Sequence, residues 1–275
     1  MWCKPSGFKS RVPHFNFFMI TSPQNPLVKE IRKLHDSKGR REQDLFLLEG
    51  THLLEEACAQ NHPLATVCCT VEWQERHLQL WEKVCLQAQR VELVSDRVLE
   101  AIATTVQPDG AIATAPRSEI NSVPTASLGL ALETVQDPGN LGTIIRTAAA
   151  GGADGLWVSQ DSVDLDHPKV LRASAGAWFR LPMAVSSDLK AEVSRCQNQG
   201  MQILATIPDA NLTYWEVDLR VPTLIVLGNE GAGLSEDLTN LASLQVRIPL
   251  CRGVESLNVA IAAALILYEA QRQRR

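Results

Sequence analysis

TLIVLGNEGAGLSEDL, residues 223–238, runs from an apolar strand through a glycine-rich turn into a helical stretch. Repeated along a chain, that order is the signature of a parallel α/β sheet. The turn invites a dinucleotide or phosphate reading, but its glycines fall as G-x-x-G-x-G rather than G-x-G-x-x-G. No Lys-Ser or Lys-Thr follows as in a phosphate-binding loop. Glu230 stands inside the turn, where a carboxylate would repel a pyrophosphate at a helix N-terminus. A cationic ligand fits better, while a tight turn whose glycines only supply positive φ, with Glu230 solvated, fits equally well.

The same texture extends outward through the C-terminal half. LGLALETV (128–135), GLWVS (155–159), QILAT (202–206) and PTLIVLG (222–228) are apolar strands separated by helical stretches. Such sheets bind ligands in the loops at the carboxyl ends of their strands. The polar clusters fall there: QDPGN (136–140), GNEGAG (228–233) and IPLCRGVESLN (248–258). NLGTIIRTAAAGG (140–152) reads as a helix that opens with Asn140 and carries Arg146 two turns in. A lone arginine there is usually solvated or salt-bridged. Ser256 and Asn258 lie where a long apolar helix begins, and N-capping alone accounts for those residue types.

Residues 19 to about 115 show shorter helices and strands, and APRSEINSVPT (115–125) has the polar, proline-containing composition of a linker. The expected organisation is a disordered extension over 1–18, a small α/β domain over 19–115, a linker over 116–125 and a parallel-sheet domain over 126–275. Met19 reads as a natural start, and the preceding residues lack a secretory h-region. Between Lys29 and Arg41 lie Lys29, Arg32, Lys33, Lys38, Arg40 and Arg41 against only Glu30 and Asp36. This is either a solvated helix face or a phosphate contact.

Composition narrows the class. A formal charge of −5 argues against a protein coated in nucleic acid, though a local basic patch can still bind RNA. Seven cysteines without a C-x-x-C pair suggest neither a disulfide framework nor a zinc site, so a reducing cytoplasm and no metal are expected. The longest strongly apolar run, 259–268, is too short to span a bilayer. It also lacks a polar side, so its outer face should be covered by the N-terminal domain or by a second subunit, with Ile266 a candidate interface position.

Three segments together, NLGTIIRTAAAGGADGLWV (140–158), LIVLGNEGAGLS (224–235) and IPLCRGVESLNVAIAAALILYEA (248–270), resemble the three motifs of the SpoU (TrmH-like) RNA 2′-O-ribose methyltransferases of the SPOUT superfamily. HPKVLRASAGAWFRLP (167–182) resembles the intervening segment, except that Asp166-His167 stand where an Asn is expected before the proline. The resemblance covers 128–272, and residues 22–50 are similar to the small substrate-binding domain that often precedes this catalytic domain.

The resemblance implies an α/β catalytic domain closed by a C-terminal deep trefoil knot, an exception to the rule against threaded chains. It implies S-adenosylmethionine held by Gly228, Ile248 and Leu257, and methyl transfer to a ribose 2′-hydroxyl of rRNA or tRNA. Arg146 matches the catalytic arginine. Because a guanidinium stays protonated, its expected role is to hold an RNA phosphate and stabilise oxyanion character. Asn140 would position the ribose or Arg146, and Glu230, Ser256 and Asn258 would complete the pocket. Beside these motifs the basic segment becomes a phosphate contact, and a homodimer through the catalytic domain is expected. A silent RNA-binding protein that keeps the knot is the alternative. A nucleotide-dependent enzyme fails on glycine spacing.

Overall fold

A computed structural model describes residues 19–117, 123, 126–251 and 253–275. The expected extension, 1–18, and most of the expected linker, 116–125, lie outside the described residues. The first helix, α1 (Pro26–Lys33), starts where Asn25 Oδ1 accepts the Leu27 amide at 2.9 Å and where Pro26 occupies a position that needs no N–H. It is followed by α2 (Ser37–Gln43), β1 (Leu45–Glu49), α3 (Thr51–Ala59), β2 (Leu64–Cys69), α4 (Val71–Arg76), α5 (Leu78–Gln87), β3 (Ala88–Leu93), α6 (Asp96–Ile102) and β4 (Ala111–Pro116). The strands form a mixed sheet in the order β1-β4-β2-β3, with β4 antiparallel to both neighbours and β2 parallel to β3. Alternation along β1 sends Phe46 and Leu48 to one core and Leu47 to another, beneath α1 and α6.

The second unit contains β5 (Leu128–Leu132), α7 (Pro138–Gly151), β6 (Gly155–Ser159), α8 (Pro168–Ser174), β7 (Met183–Ser186), α9 (Leu189–Asn198), β8 (Gln202–Thr206), β9 (Leu212–Thr213), β10 (Thr223–Leu227), α10 (Glu236–Leu241), β11 (Leu244–Arg247) and α11 (Val259–Arg274). Its seven strands are all parallel, in the order β7-β6-β5-β10-β8-β11-β9. β5, β6 and β10 are buried along their whole length, as strands covered on both faces must be. Side chains of α7, α8 and α11 join the core on one face, and those of α9 and α10 the core on the other.

α11 corrects the expectation for the C-terminal run. Val259, Ala260, Ala263, Ile266, Leu267 and Ala270 are buried within the chain, against α7 and the sheet. Ile266 is therefore not an interface position. Ile261, Leu265 and Tyr268 are 50%, 37% and 50% exposed, so the N-terminal unit does not cover that line.

A buried ion cluster and an aromatic group join the two units. Arg40, only 1% exposed, donates from Nε to Asp166 Oδ1 at 2.9 Å and from Nη2 to Asp164 Oδ2 at 2.7 Å. Its Nη1 donates to the Leu34 and His35 carbonyls at 3.2 Å each. Asp166 also pairs with Arg117. Nearby, the Phe46 and Trp178 rings lie 5.1 Å apart. Arg40 thus leaves the set of expected RNA contacts, because its guanidinium is enclosed and its hydrogen bonds are taken. Removing one partner of such a pair strands buried charge, so Arg40→Ala should lower stability by about 3–5 kcal/mol. Urea unfolding with both intrinsic fluorescence and circular dichroism measures the loss; an unchanged midpoint would contradict the structural role assigned to this arginine.

Candidate active site

Three loops leave the carboxyl edge of the parallel sheet: 133–137 after β5, 228–235 after β10 and 248–258 after β11. The helix after the first loop starts earlier than expected. Asp137, not Asn140, is its N-cap, and the Asp137 carboxylate accepts the Asn140 amide at 2.8 Å. That hydrogen bond, with Lys169 3.4 Å away, holds the Asp137 carboxyl below its ordinary value. Capping by Asp137 places Asn140 in the first turn, with its side chain free to reach across the sheet edge.

Asn140 joins the other two loops. Its Nδ2 donates to Glu230 Oε1 at 2.9 Å, and its Oδ1 accepts from Asn258 Nδ2 at 2.9 Å. Asn258 Oδ1 in turn accepts the Ala260 and Ile261 amides at 2.9 and 3.3 Å. The capping reading of Asn258 is therefore correct, and its other end belongs to the site as well. Arg146 lies on the exposed side of α7 and makes no hydrogen bond or ion pair among the described residues. Asn140 does not hold it, since both ends of the Asn140 carboxamide are engaged elsewhere. Ser256 is exposed in the third loop, outside the Glu230–Asn140–Asn258 chain.

The glycine-rich loop folds back on itself. Asn229 and Gly233 exchange two backbone hydrogen bonds of 3.0 Å, with Gly233 at φ +72°. A Cβ at Gly228 would stand 2.2 Å from the Gly233 carbonyl, so only glycine fits that crossing. Asn229 organises the turn: Nδ2 donates to the Thr134 carbonyl at 2.8 Å, and Oδ1 accepts the Gly231 and Ala232 amides at 2.8 and 2.9 Å. Sequence reasoning passed over Asn229, although Asn beside glycines is a turn-forming signal. Ile248 is half-buried beyond β11, and Leu257 lies exposed next to Asn258, as does Leu250 in the same loop.

The basic segment is divided. Lys29 and Arg32 are exposed on α1 without partners among the described residues. Lys33 pairs with Glu30 and Lys38 with Glu42 at exposed positions where such pairs contribute little, and Arg41 pairs with the half-buried Asp164. Among the described residues no group of His, Cys, Asp and Glu could hold a metal ion, and no helix is long and apolar enough to cross a membrane.

The Asp166-His167 departure has a physical account. Asp166 is committed to Arg40 and Arg117, while His167 Nδ1 caps α8 by accepting the Lys169 amide at 3.1 Å. Burial, followed by the charges of Arg40 and Arg172, pushes His167 below its ordinary value.

The profile of the SpoU rRNA Methylase family matches residues 127–268, and that of an MRM3-like substrate binding domain matches 25–113. The chain is 49% identical over 257 residues to an uncharacterized tRNA/rRNA methyltransferase of Synechocystis, covering 93% of this chain and 94% of that one. It is 32% identical to the Bacillus subtilis 23S rRNA (guanosine(2553)-2′-O)-methyltransferase RlmP, over 90% of this chain and 97% of the relative. The crystal structure of an AdoMet-bound rRNA methyltransferase from Sinorhizobium meliloti superimposes with a TM-score of 0.82 at 32% identity, covering 93% and 98% of the two chains.

His167 yields a pH prediction. A histidine whose folded pKa lies below its unfolded value binds fewer protons in the native state. Its contribution is present in full above the unfolded pKa of about 6.5 and is lost progressively below it, as pH falls toward and through the lower folded value. Wild-type stability should therefore decline below neutrality, and His167→Asn, which caps without titrating, should show a smaller decline. Thermal melts from pH 7.5 to 5.5 check this; parallel curves for the two proteins would remove His167 as a cause.

Proposed function

The chain belongs to the SpoU rRNA methylase family, and from that membership we infer that it is an S-adenosylmethionine-dependent RNA ribose 2′-O-methyltransferase with ribosomal RNA as substrate. The observation that carries this reading is the Glu230–Asn140–Asn258 chain, which draws together the start of α7 and two loops within the stretch matched by the family. Relatives named as methyltransferases speak against the silent alternative.

The residues present suit the cofactor. The missing Cβ of Gly228 lets the glycine-rich loop close on its own Gly233 backbone, Leu250 and Leu257 offer exposed apolar contact for an adenine, and Glu230 is a carboxylate compatible with a sulfonium. S-adenosylmethionine, when bound, supplies the methyl carbon that a ribose 2′-oxygen attacks. The protein must orient that hydroxyl and stabilise the charge growing on it as its proton leaves. Arg146, charged and unpaired, is assigned to an RNA phosphate and to that developing charge. Asn140 holds Glu230 and the start of α11 in register around the ribose, and Ser256 adds a hydroxyl at the rim.

Residues 19–115 are proposed to grip RNA, with Lys29 and Arg32 as the open cations, and residues 126–275 to perform the chemistry in the cytoplasm. A C-terminal knot is part of the proposal. It is supported by the path of α11 from Asn258 at the carboxyl edge of the sheet to Arg274, which donates to the Ser127 and Val221 carbonyls at 2.9 and 2.8 Å near the opposite edge. A two-fold dimer is proposed through the exposed line Ile261, Leu265 and Tyr268, with Leu257 and Val254 extending the apolar surface.

Two outcomes follow. Arg146→Ala should reduce methyl transfer to ribosomal RNA by about 10²–10³, the usual effect of losing one preorganised charge-stabilising group, with S-adenosylmethionine affinity retained. Turnover assays and calorimetry read the two quantities, and near-normal turnover would reject the assignment. Light scattering of the wild type should give about twice the 30.2 kDa chain mass and that of Leu265→Glu the single-chain mass. A monomeric wild type would dispose of the dimer.

A further inference from the structure

Thr134 stands in the left-handed region, at φ +55°. A β-branched residue is a rare occupant of that region. Each of its three polar groups is engaged by a different residue, two at and just after the end of β6 and one in the glycine-rich loop. The amide donates to Ser159 Oγ at 2.8 Å, at the end of β6. The hydroxyl donates to Asp161 Oδ2 at 2.7 Å, and the carbonyl accepts Asn229 Nδ2 at 2.8 Å. On either side, Glu133 Oε2 accepts the Ser235 amide at 2.8 Å and the Val135 amide donates to Ser162 Oγ at 3.0 Å.

These bonds have an order of dependence. With its Nδ2 fixed by the Thr134 carbonyl, the Asn229 carboxamide can only turn Oδ1 toward the Gly231 and Ala232 amides. Those two bonds set the path of residues 229–233, and with it the position of Glu230 against Asn140. The direction of one carbonyl therefore decides the shape of the glycine-rich loop. That direction is a consequence of a backbone conformation that threonine does not favour.

We propose that Thr134 is a positioning residue for the cofactor loop: the hydroxyl bond to Asp161 latches its left-handed backbone and thereby aims the carbonyl that holds Asn229. The proposal rests on the cofactor reading of loop 228–233 given above. Thr134 itself touches neither cofactor nor ribose in this scheme, so it sets affinity for the cofactor rather than the rate of transfer once the cofactor is bound.

Two substitutions separate backbone from hydroxyl. Thr134→Val keeps the β-branch and loses the latch. Thr134→Gly also loses the latch but enters the left-handed region without steric strain. Calorimetry with S-adenosylmethionine on the intact protein, amide exchange at Gly231 and Ala232 without ligand, and kcat at saturating cofactor are the three readouts. Thr134→Val should raise Kd about tenfold, the scale of one lost hydrogen bond, and speed the exchange of both amides. Thr134→Gly should stay within about threefold of wild type in Kd, because glycine holds the conformation unaided. In both, kcat at saturation should change by less than about twofold, since an interaction made equally before and during transfer does not alter it.

Wild-type affinity and exchange in Thr134→Val would overturn the proposal. Equal weakening in the two variants would overturn it too, by placing the effect in the hydroxyl. Should Thr134→Val fail to fold, Asp161→Ala makes the same test: it should weaken binding in the wild-type background and have no effect beside Thr134→Gly, and an equal effect in both backgrounds rejects the latch. If the wild type bound no S-adenosylmethionine, the cofactor reading would fail, while the exchange contrast between the variants would still decide whether Thr134 orders the loop.

Discussion

A carboxamide has one donating and one accepting end, and both ends of Asn140 are committed. Glu230, an acceptor when ionised, takes the Nδ2 end; Asn258 offers its Nδ2 to the other and caps α11 with its own oxygen. The start of α7 and two loops from the edge of one sheet are thereby held by two side chain–side chain bonds. Aspartate at 140 would face Glu230 with like charge, and leucine would leave the donor of Asn258 without its partner. The amide is one of few groups able to satisfy both neighbours, and the packing of α11 against α7 keeps Asn258 within its reach.

Much of the sheet was legible because β5, β6, β8 and β10 lie in its interior, covered by helices on both faces, and so read as short continuous apolar runs. β7 and β9 were not, and β11 was implied only as the strand before loop 248–258. β9 has two residues, and the other two have four each with partly exposed positions, too little to stand out from loop. The loops carrying the polar clusters were placed correctly because sheet polarity dictates where such loops go. The start of α7 lies two residues before Asn140 because Asp137 followed by Pro138 is the stronger capping signal.

Charge was the least readable property. A run of six basic residues looks like one solvated face, yet its members have four different fates. Arg40 is enclosed by Asp164 and Asp166, more than 120 positions away in the chain. Arg41 rests on the same Asp164, Lys33 and Lys38 pair within their helices, and only Lys29 and Arg32 stay open. No local rule distinguishes these outcomes, because the partner is chosen by tertiary contact. Arg146 makes the opposite case. An arginine beside a carboxylate would have to give up that pair to meet a phosphate, whereas an unpaired one is available from the outset.

The buried and the open cations also have a common frame. Asp164 and Asp166 sit on the segment that follows β6, and Val163 of that segment donates its amide to the Val135 carbonyl at 2.9 Å. Val135 adjoins Thr134, whose carbonyl fixes Asn229. One stretch, 159–166, therefore anchors Arg40 on one side and loop 133–137 on the other. Arg40 grips the Leu34 and His35 carbonyls at the end of α1, the helix that carries Lys29 and Arg32. A cation that holds RNA at a distance helps the reaction only if its separation from the reacting atoms is fixed, since misplacement by about 1 Å is enough to slow transfer severely. On the proposed RNA-gripping role of Lys29 and Arg32, the inter-unit ion cluster is what would fix that separation, because a buried, hydrogen-bonded guanidinium ties α1 to the segment beside loop 133–137.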